Sequence, residues 1–287
     1  MVENHSEISP QTLDSEPIKN NVKNYIKWVL LGLLMLATGW MVADMLFGTP
    51  KTPPYREPTA LQKGGYRVHF QGYEFDIYCV PMVQNGLALL CTDAQKVPFR
   101  DIKTLKNYLQ NQQKKLVFAM NAGMYTTENL PKGLYIEQQQ TRVALDTAQT
   151  GFGNFYLQPN GVFAFDDTTA VILDTKSFEK QSKQYAYATQ SGPLLVVNNQ
   201  LNPVFTPSSN STYIRNGVGI TQGGKIIFAI SNQAVNFYTF AAFFKERLLC
   251  PNALFLDGAI SKMYAPALQR LDLDGDLGPF VVLTNHD

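Results

Sequence analysis

Residues 101–123 read DIKTLKNYLQNQQKKLVFAMNAG, and the fold is decided in this stretch. Asp101–Lys115 carries Ile102, Leu105 and Leu109 at helical spacing, and its basic end suits a helix C-terminus. The apolar run LVFAM that follows reads as a short buried strand stopping at Asn121-Ala122-Gly123. The same order recurs further on. Thr239–Leu249 sets Phe240, Phe243, Phe244 and Leu248 on a helix ending at Cys250-Pro251, and ALFL then runs into Asp257-Gly258. A polar side chain at the carboxyl end of a buried strand, beside a glycine that admits backbone or ligand, is where sheet proteins tend to build sites. Asn121 and Asp257 are therefore the first candidate site residues; the plainer alternative is that each caps a turn.

Outward from these two units, strands dominate. Alternation predicts them at Tyr66–Phe70, Asn154–Leu157, Gly161–Phe165, Leu194–Val197, Lys225–Ser231 and Phe280–Leu283. The expected class is α+β (mixed α/β), a strand-rich single domain with a few helices, preceded by an N-terminal transmembrane helix. Tyr73–Val80 and Gly86–Thr92 are also strand-like, with Gln84-Asn85-Gly86 as turn chemistry between them. A hairpin centred near Asn85 sets Cys79 opposite Cys91, and a disulfide between them is expected; two buried thiols are the alternative. Cys250 is then the odd thiol. The aromatic stripe Phe237–Phe244 is expected in the core.

Trp28–Phe47 reads WVLLGLLMLATGWMVADMLF, 20 residues with one charge, Asp44. That length spans a hydrocarbon core as a helix. Lys19, Lys23 and Lys27 precede it, so the positive-inside bias puts the N-terminus in the cytoplasm. A cleavable signal peptide cut near Ala37-Thr38-Gly39 is the alternative, but the polar leader is long for one. The expected organisation is a cytoplasmic tail (1–27), a transmembrane anchor (28–47), a Pro-rich tether (48–64) and an exported domain (65–287). An oxidising compartment agrees with the expected disulfide.

Composition narrows the function. The 287 residues are 45% hydrophobic and only 16% charged, with a net charge of +1, so a nucleic-acid partner held through phosphate contacts is excluded. Of the 3 histidines, His5 and His286 lie near the chain ends, which leaves His69 alone and removes His-rich metal sites and His relays. No P-loop, dinucleotide fingerprint, nucleophile elbow or Cys-x-x-Cys occurs. Asp272-Leu-Asp-Gly-Asp276 has its glycine fourth, not sixth as a calcium loop requires, and reads as a solvated acidic turn. Carboxylate and arginine chemistry remains. Arg215, in Tyr-Ile-Arg-Asn-Gly just before a strand, offers a permanent charge and a planar fork suited to phosphate; a surface ion pair is the alternative.

Four segments in register carry a resemblance: Asn121-Ala-Gly-Met-Tyr125, Gln190-Ser-Gly-Pro193, Ile214-Arg-Asn-Gly-Val-Gly219 and Phe255-Leu-Asp-Gly-Ala-Ile-Ser261. Together they resemble the phosphodiester glycosidase family, and Gly153-Asn-Phe-Tyr156, Pro159-Asn-Gly-Val-Phe163 and Met263-Tyr-Ala-Pro266 are similar to its exported, membrane-anchored bacterial branch. The likeness runs from about Gly65 to Leu283. One departure stands out: where many members have Asp-Gly-Gly, this chain has Asp257-Gly258-Ala259, and the added methyl narrows that approach.

The resemblance implies an exported hydrolase of the bacterial inner membrane, its domain facing the periplasm, that cleaves the glycosidic bond of a sugar-1-phosphodiester. Asp257 would be the catalytic carboxylate, Arg215 would hold the phosphate with backbone N–H groups at Ser191-Gly192, and Asn121 would hold sugar or water. Gly123 and Gly258 would line the substrate, and Ser261 would position Asp257 or substrate. Glu137 is a possible second carboxylate. No cofactor is implied and no metal-ligand spacing occurs, although a divalent cation beside Asp257 is left open. Partners are a sugar-1-phosphodiester or cell-envelope glycan, and the membrane through Trp28–Phe47. The alternatives are a non-catalytic sugar-phosphate binding module and an envelope interaction protein.

Overall fold

The computed structural model describes residues 25–35, 38, 63–81, 85–257 and 260–286. In chain order the elements are α1 (25–35), β1 (Gly64–Phe70), β2 (Tyr73–Val80), β3 (Leu87–Leu90), α2 (Ile102–Asn111), β4 (Lys114–Asn121), β5 (Tyr135–Glu137) and β6 (Gln140–Val143). They continue with β7 (Gly161–Phe165), β8 (Ala170–Asp174), α3 (Thr175–Glu179), β9 (Tyr187–Ser191), β10 (Leu194–Val197), β11 (Gln200–Leu201), β12 (Asn216–Ile220) and β13 (Ile226–Ser231). The last are α4 (Phe237–Ala242), which runs on into a π turn at Phe243–Arg247, then β14 (Asn252–Asp257), β15 (Met263–Ala265), β16 (Arg270–Leu271) and β17 (Phe280–His286).

The strands form three antiparallel sheets, in the orders β1-β2-β13-β12-β14-β10-β11, β16-β15-β4-β17-β3 and β6-β5-β9-β7-β8. Each turns one face to a common core. Tyr78, Phe228 and Leu254 come from the first sheet, Phe118, Met120 and Val281 from the second, and Tyr135, Phe163 and Phe165 from the third. Strand alternation then sends every second residue outward. On the first sheet Phe75, Ile77, Ala229 and Phe255 meet Phe240, Phe243 and Phe244, so the aromatic stripe is core as expected. On the second sheet Leu116, Ala119 and Phe280 meet Ile102, Leu105 and Leu109 of α2. Gly219 lets the π turn and the segment after it approach, because a Cβ there would lie 2.7 Å from both Phe244 Cδ1 and Cys250 Sγ.

The architecture is the strand-rich α+β arrangement expected, with local corrections. The helix predicted over Asp101–Lys115 ends at Asn111. Asp101 caps its start by accepting from the Thr104 amide at 2.6 Å, while Gln113 turns left-handed at φ 59° and frees Lys114 and Lys115 to begin β4. Asn154–Leu157 is not a strand: Asn154–Tyr156 is a 3-10 turn, entered through Gly153 at φ 87°.

The expected Cys79–Cys91 hairpin does not form either. β2 lies between β1 and β13 in the first sheet, whereas β3 is the edge of the second, paired with β17. Cys79 pairs across to Gly64 and Ile227, not to Cys91. Cys79, Cys91 and Cys250 are buried thiols rather than disulfide sulfurs.

α1 belongs to a unit apart from the sheets, which lie within Arg56–Asp287. Among the described residues no helix is long and apolar enough to cross a membrane. Most of the expected 28–47 anchor and 48–64 tether lies outside the described residues, as does the tail before residue 25.

Candidate active site where two sheets meet

β4 and β14 belong to different sheets, and both end on their polar residue at the same place. Asn121 and Asp257 are buried, at 0% and 3% exposure, and Asn121 Nδ2 donates to Asp257 Oδ2 at 2.5 Å and to the Ile260 carbonyl at 2.8 Å. The amide is held the right way round from its other side. Its Oδ1 accepts from Asn216 Nδ2 at 2.7 Å and from the Lys262 backbone N–H at 3.0 Å. Asn216 also donates to the Asn121 carbonyl at 3.0 Å and stands opposite Asp257 in the β12–β14 register. With both acceptor positions of Oδ1 filled by donors, the Nδ2 group must face the carboxylate.

Arg215, one residue before Asn216, is a buried cation at 1% exposure. Its Nε donates to the Val235 carbonyl at 2.8 Å and its Nη2 to the Ser211 carbonyl at 2.9 Å, while Nη1 has no partner among the described residues. The guanidinium carbon lies 3.7 Å from the Phe237 ring centroid and 5.4 Å from those of Tyr213 and Phe255. Burial lowers its pKa to about 10 against an opposing effect of Tyr213, and among the described residues no carboxylate pairs with it. Ser261 Oγ donates to the Ile214 carbonyl at 3.1 Å, which ties the segment after Asp257 to the residue before Arg215.

Ser191, at 0% exposure, spends its hydroxyl on the Leu256 carbonyl at 3.0 Å, which fixes β9 to β14 one residue before Asp257. Gly192 is packed where a Cβ would lie 2.7 Å from the Phe155 carbonyl oxygen. At Gly123 a Cβ would lie 2.6 Å from Thr189 Oγ1, and that hydroxyl donates to the Ala122 carbonyl at 2.8 Å. Side-chain bonds thus join all four sequence segments. Gly258 and Ala259 lie outside the described residues.

Three participants escaped the sequence reading. Asn216 lies inside a quoted segment and Lys262 just beyond another, but only their hydrogen bonds to Asn121 Oδ1 show that they orient it. The signal available was a buried asparagine opening an otherwise apolar strand. Tyr125 is the third: burial first, then the charges of Asp257 and Asp276, push its phenol up to about 12, and it donates to the Asp276 carbonyl at 2.6 Å. Glu137 is elsewhere, bonded to Tyr135 in a cavity that none of these residues lines.

The acidic turn is solvated at Asp274 and Asp276, 83% and 60% exposed, where they pair with Lys262 and Arg100 at 2.9 Å each. Asp272 is held instead, accepting at Oδ2 from the Met263 amide at 3.1 Å and Arg270 Nε at 2.9 Å. No group of three metal-ligating side chains occurs among the described residues.

The phosphodiester glycosidase family profile matches residues 114–277, which span β4, the site and the acidic turn. The chain belongs to the phosphodiester glycosidase family. Among curated proteins, the uncharacterized protein YigE of Escherichia coli K12 is 45% identical over 154 residues, covering 54% of this chain and 60% of YigE. The match therefore spans less than two thirds of that relative. Among solved structures, the catalytic domain of zebrafish N-acetylglucosamine-1-phosphodiester alpha-N-acetylglucosaminidase, auto-inhibited by its pro-peptide, superposes with a TM-score of 0.53. It is 14% identical, with 76% of this chain and 81% of that one covered, so the likeness is one of fold.

Proposed function

We propose that this glycosidase hydrolyses the bond between the anomeric carbon and the bridging oxygen of a sugar-1-phosphodiester, with Asp257 as the reacting carboxylate. The Asn121 amide seated on Asp257 carries the reading. It fixes one carboxylate oxygen in a buried junction formed by all the family segments. Arg215 supports the phosphate half. A buried guanidinium with no carboxylate partner among the described residues is costly, and an anion brought by substrate offsets that cost. Its orphan Nη1 and planar fork suit a phosphoryl oxygen.

In this mechanism the leaving group is a phosphate monoester, already a stable anion, so strong general-acid help is not required. Asp257 attacks the anomeric carbon or deprotonates the attacking water, and Asn121 keeps it oriented as positive charge grows on the ring. Ser191, through Leu256, and Ser261, through Ile214, act as positioning residues. Gly123 keeps the β4 end close to β9, and Gly258 would admit the substrate beside Asp257. We further propose that the domain is exported and held at the inner membrane of a bacterial envelope by Trp28–Phe47. The hydropathy of that stretch, broken only by Asp44 near its far end, supports this, as do the exposed Trp28, Leu30 and Leu34 of α1.

The test uses the full chain in detergent micelles with a panel of sugar-1-phosphodiesters, following free sugar. Asp257→Asn should lower turnover at least about a hundredfold with the fold retained, and Arg215→Lys should raise KM more than it lowers kcat. Near-normal turnover in the first variant would remove Asp257 from the chemistry. Substrate binding without sugar release by the parent would make the site a binding module.

A further inference from the structure

A cavity of about 730 Å3 opens between β3 and β6, the edge strands of the second and third sheets, with α2 along one side. Neither Asn121, Asp257, Arg215 nor Ser261 lines it. Its size is that of a small-molecule site, roughly 300–1,000 Å3. The floor is formed by buried Cys91, Leu109 and Tyr135. Beside them lies Glu137, whose Oε2 accepts from the Tyr135 hydroxyl at 3.1 Å.

Charge around the opening is lopsided. Lys96, Lys114 and Arg142 line it, and among the described residues none of the three is ion-paired. Of the two lining carboxylates, Asp93 is committed to its own turn, accepting from the Gln95 and Val97 amides at 2.9 Å each. Glu137 is the other. Burial pushes its carboxyl up against the opposing effects of Tyr135 and Arg142, so it yields charge more readily than an exposed glutamate. The remaining polar lining, Thr92, Gln112, Gln138 and Thr141, offers both donors and acceptors, and Tyr108 and Leu109 add apolar surface.

We propose that this cavity binds a small anionic carbohydrate, a phosphorylated sugar or a uronic acid, independently of the Asn121–Asp257 site. The cations take the acidic group, the amide and hydroxyl side chains take ring hydroxyls, and the apolar wall takes the C–H face of the ring. A neutral sugar would leave the cations without a partner. A bare anion would leave most of the volume to water.

The experiment is hydrogen-exchange mass spectrometry of the full chain in micelles with glucose 6-phosphate, glucuronate, glucose and inorganic phosphate. At least one anionic sugar should protect residues 91–96, 108–114 and 135–143, whereas glucose and inorganic phosphate should not; comparing the two acids separates phosphate from carboxylate recognition. Lys114→Glu with Arg142→Glu should weaken binding about tenfold or more, equivalent to 1.4 kcal/mol per decade. Glu137→Gln, which removes one of the two negative charges lining the cavity, should tighten binding severalfold near neutral pH. Asp257→Asn should leave it unchanged, so failure of the proposed hydrolysis and failure of this site are separate results. No protection by either acid, equal protection by inorganic phosphate or glucose, or binding unaltered in the double variant would overturn the proposal.

Discussion

Asn121 shows how a single side chain sets a site. It has two donor protons and one acceptor oxygen, and every one has a partner, Asp257 and Asn216 buried and Ile260 and Lys262 half-buried. Asn121→Asp keeps the shape but replaces the donor facing Asp257 with a second carboxylate. Two carboxylates in contact cannot both ionise, so the pair will retain a proton to higher pH than either would alone. The variant should therefore lose turnover near neutrality. Because the native pair binds more protons than the unfolded chain, its stability deficit should shrink as pH falls. Urea unfolding of both proteins at several pH values checks this; a deficit independent of pH would mean that the two side chains do not meet. Asn121 and Asp257 were legible because a polar residue ending an apolar run is conspicuous. Their contact was not, since 136 positions separate them and only the sheet packing brings them together.

At the scale of elements, the pattern of helix, buried strand and polar end was readable wherever local periodicity and burial agree, as in α2–β4 and α4–β14. It failed where neighbours in sequence part company in space. Gly86 has the residue type of a hairpin turn and sits at φ 90°, but its carbonyl accepts from the Thr284 amide at 3.0 Å. A Cβ there would strike the Thr284 carbonyl, so the glycine serves the approach to β17 rather than a return onto β2. Nothing in the alternation of a single strand names its partner, and the cysteine pairing inferred from that hairpin went with it. Burial pushes the Cys91 thiol up to about 12 and that of Cys250 further, which leaves both poor nucleophiles. All three cysteines should alkylate after unfolding without reductant, and dithiothreitol should leave the melting temperature unchanged. Intact-mass analysis reads the first and calorimetry the second; recovery of a Cys79–Cys91 linked peptide would contradict this arrangement.

For the whole molecule, the first and second sheets are tied by a buried charge as well as by their shared core. Asp76 on β2, 1% exposed, accepts from Arg67 Nε at 2.8 Å and Nη2 at 3.2 Å, and from Arg270 Nη1 on β16 at 3.1 Å. Arg270 continues to Asn232 at 2.6 Å and Asp272 at 2.9 Å, so the chain of contacts reaches the base of the acidic turn beside the site. Burial pushes the Asp76 carboxyl up, but the hydrogen bonds from Arg67 and Arg270 outweigh it, and its pKa lies below the usual value. A depressed folded pKa gives stability that is complete above the unfolded value, about 3.9 for aspartate, and is lost as pH falls through the folded one. Glu137, shifted upward by burial, has the opposite sign: its cost is present near neutrality and is relieved on acidification. Loss of stability in acid should therefore follow Asp76 and not Glu137. Asp76→Asn leaves two arginines around a neutral amide, one half exposed and the other still paired with Asp272, and should cost about 1.5–3 kcal/mol near neutral pH, the scale of a hydrogen bond to a charged group. The gap between parent and variant in urea unfolding should hold above about pH 5 and narrow only as pH falls below about 4, through the unfolded value and on towards the lower folded one, as the parent's carboxylate takes up its proton. A gap that stays constant across that range would show that Asp76 matters through its hydrogen-bonding shape, and that the charge between the two sheets contributes nothing.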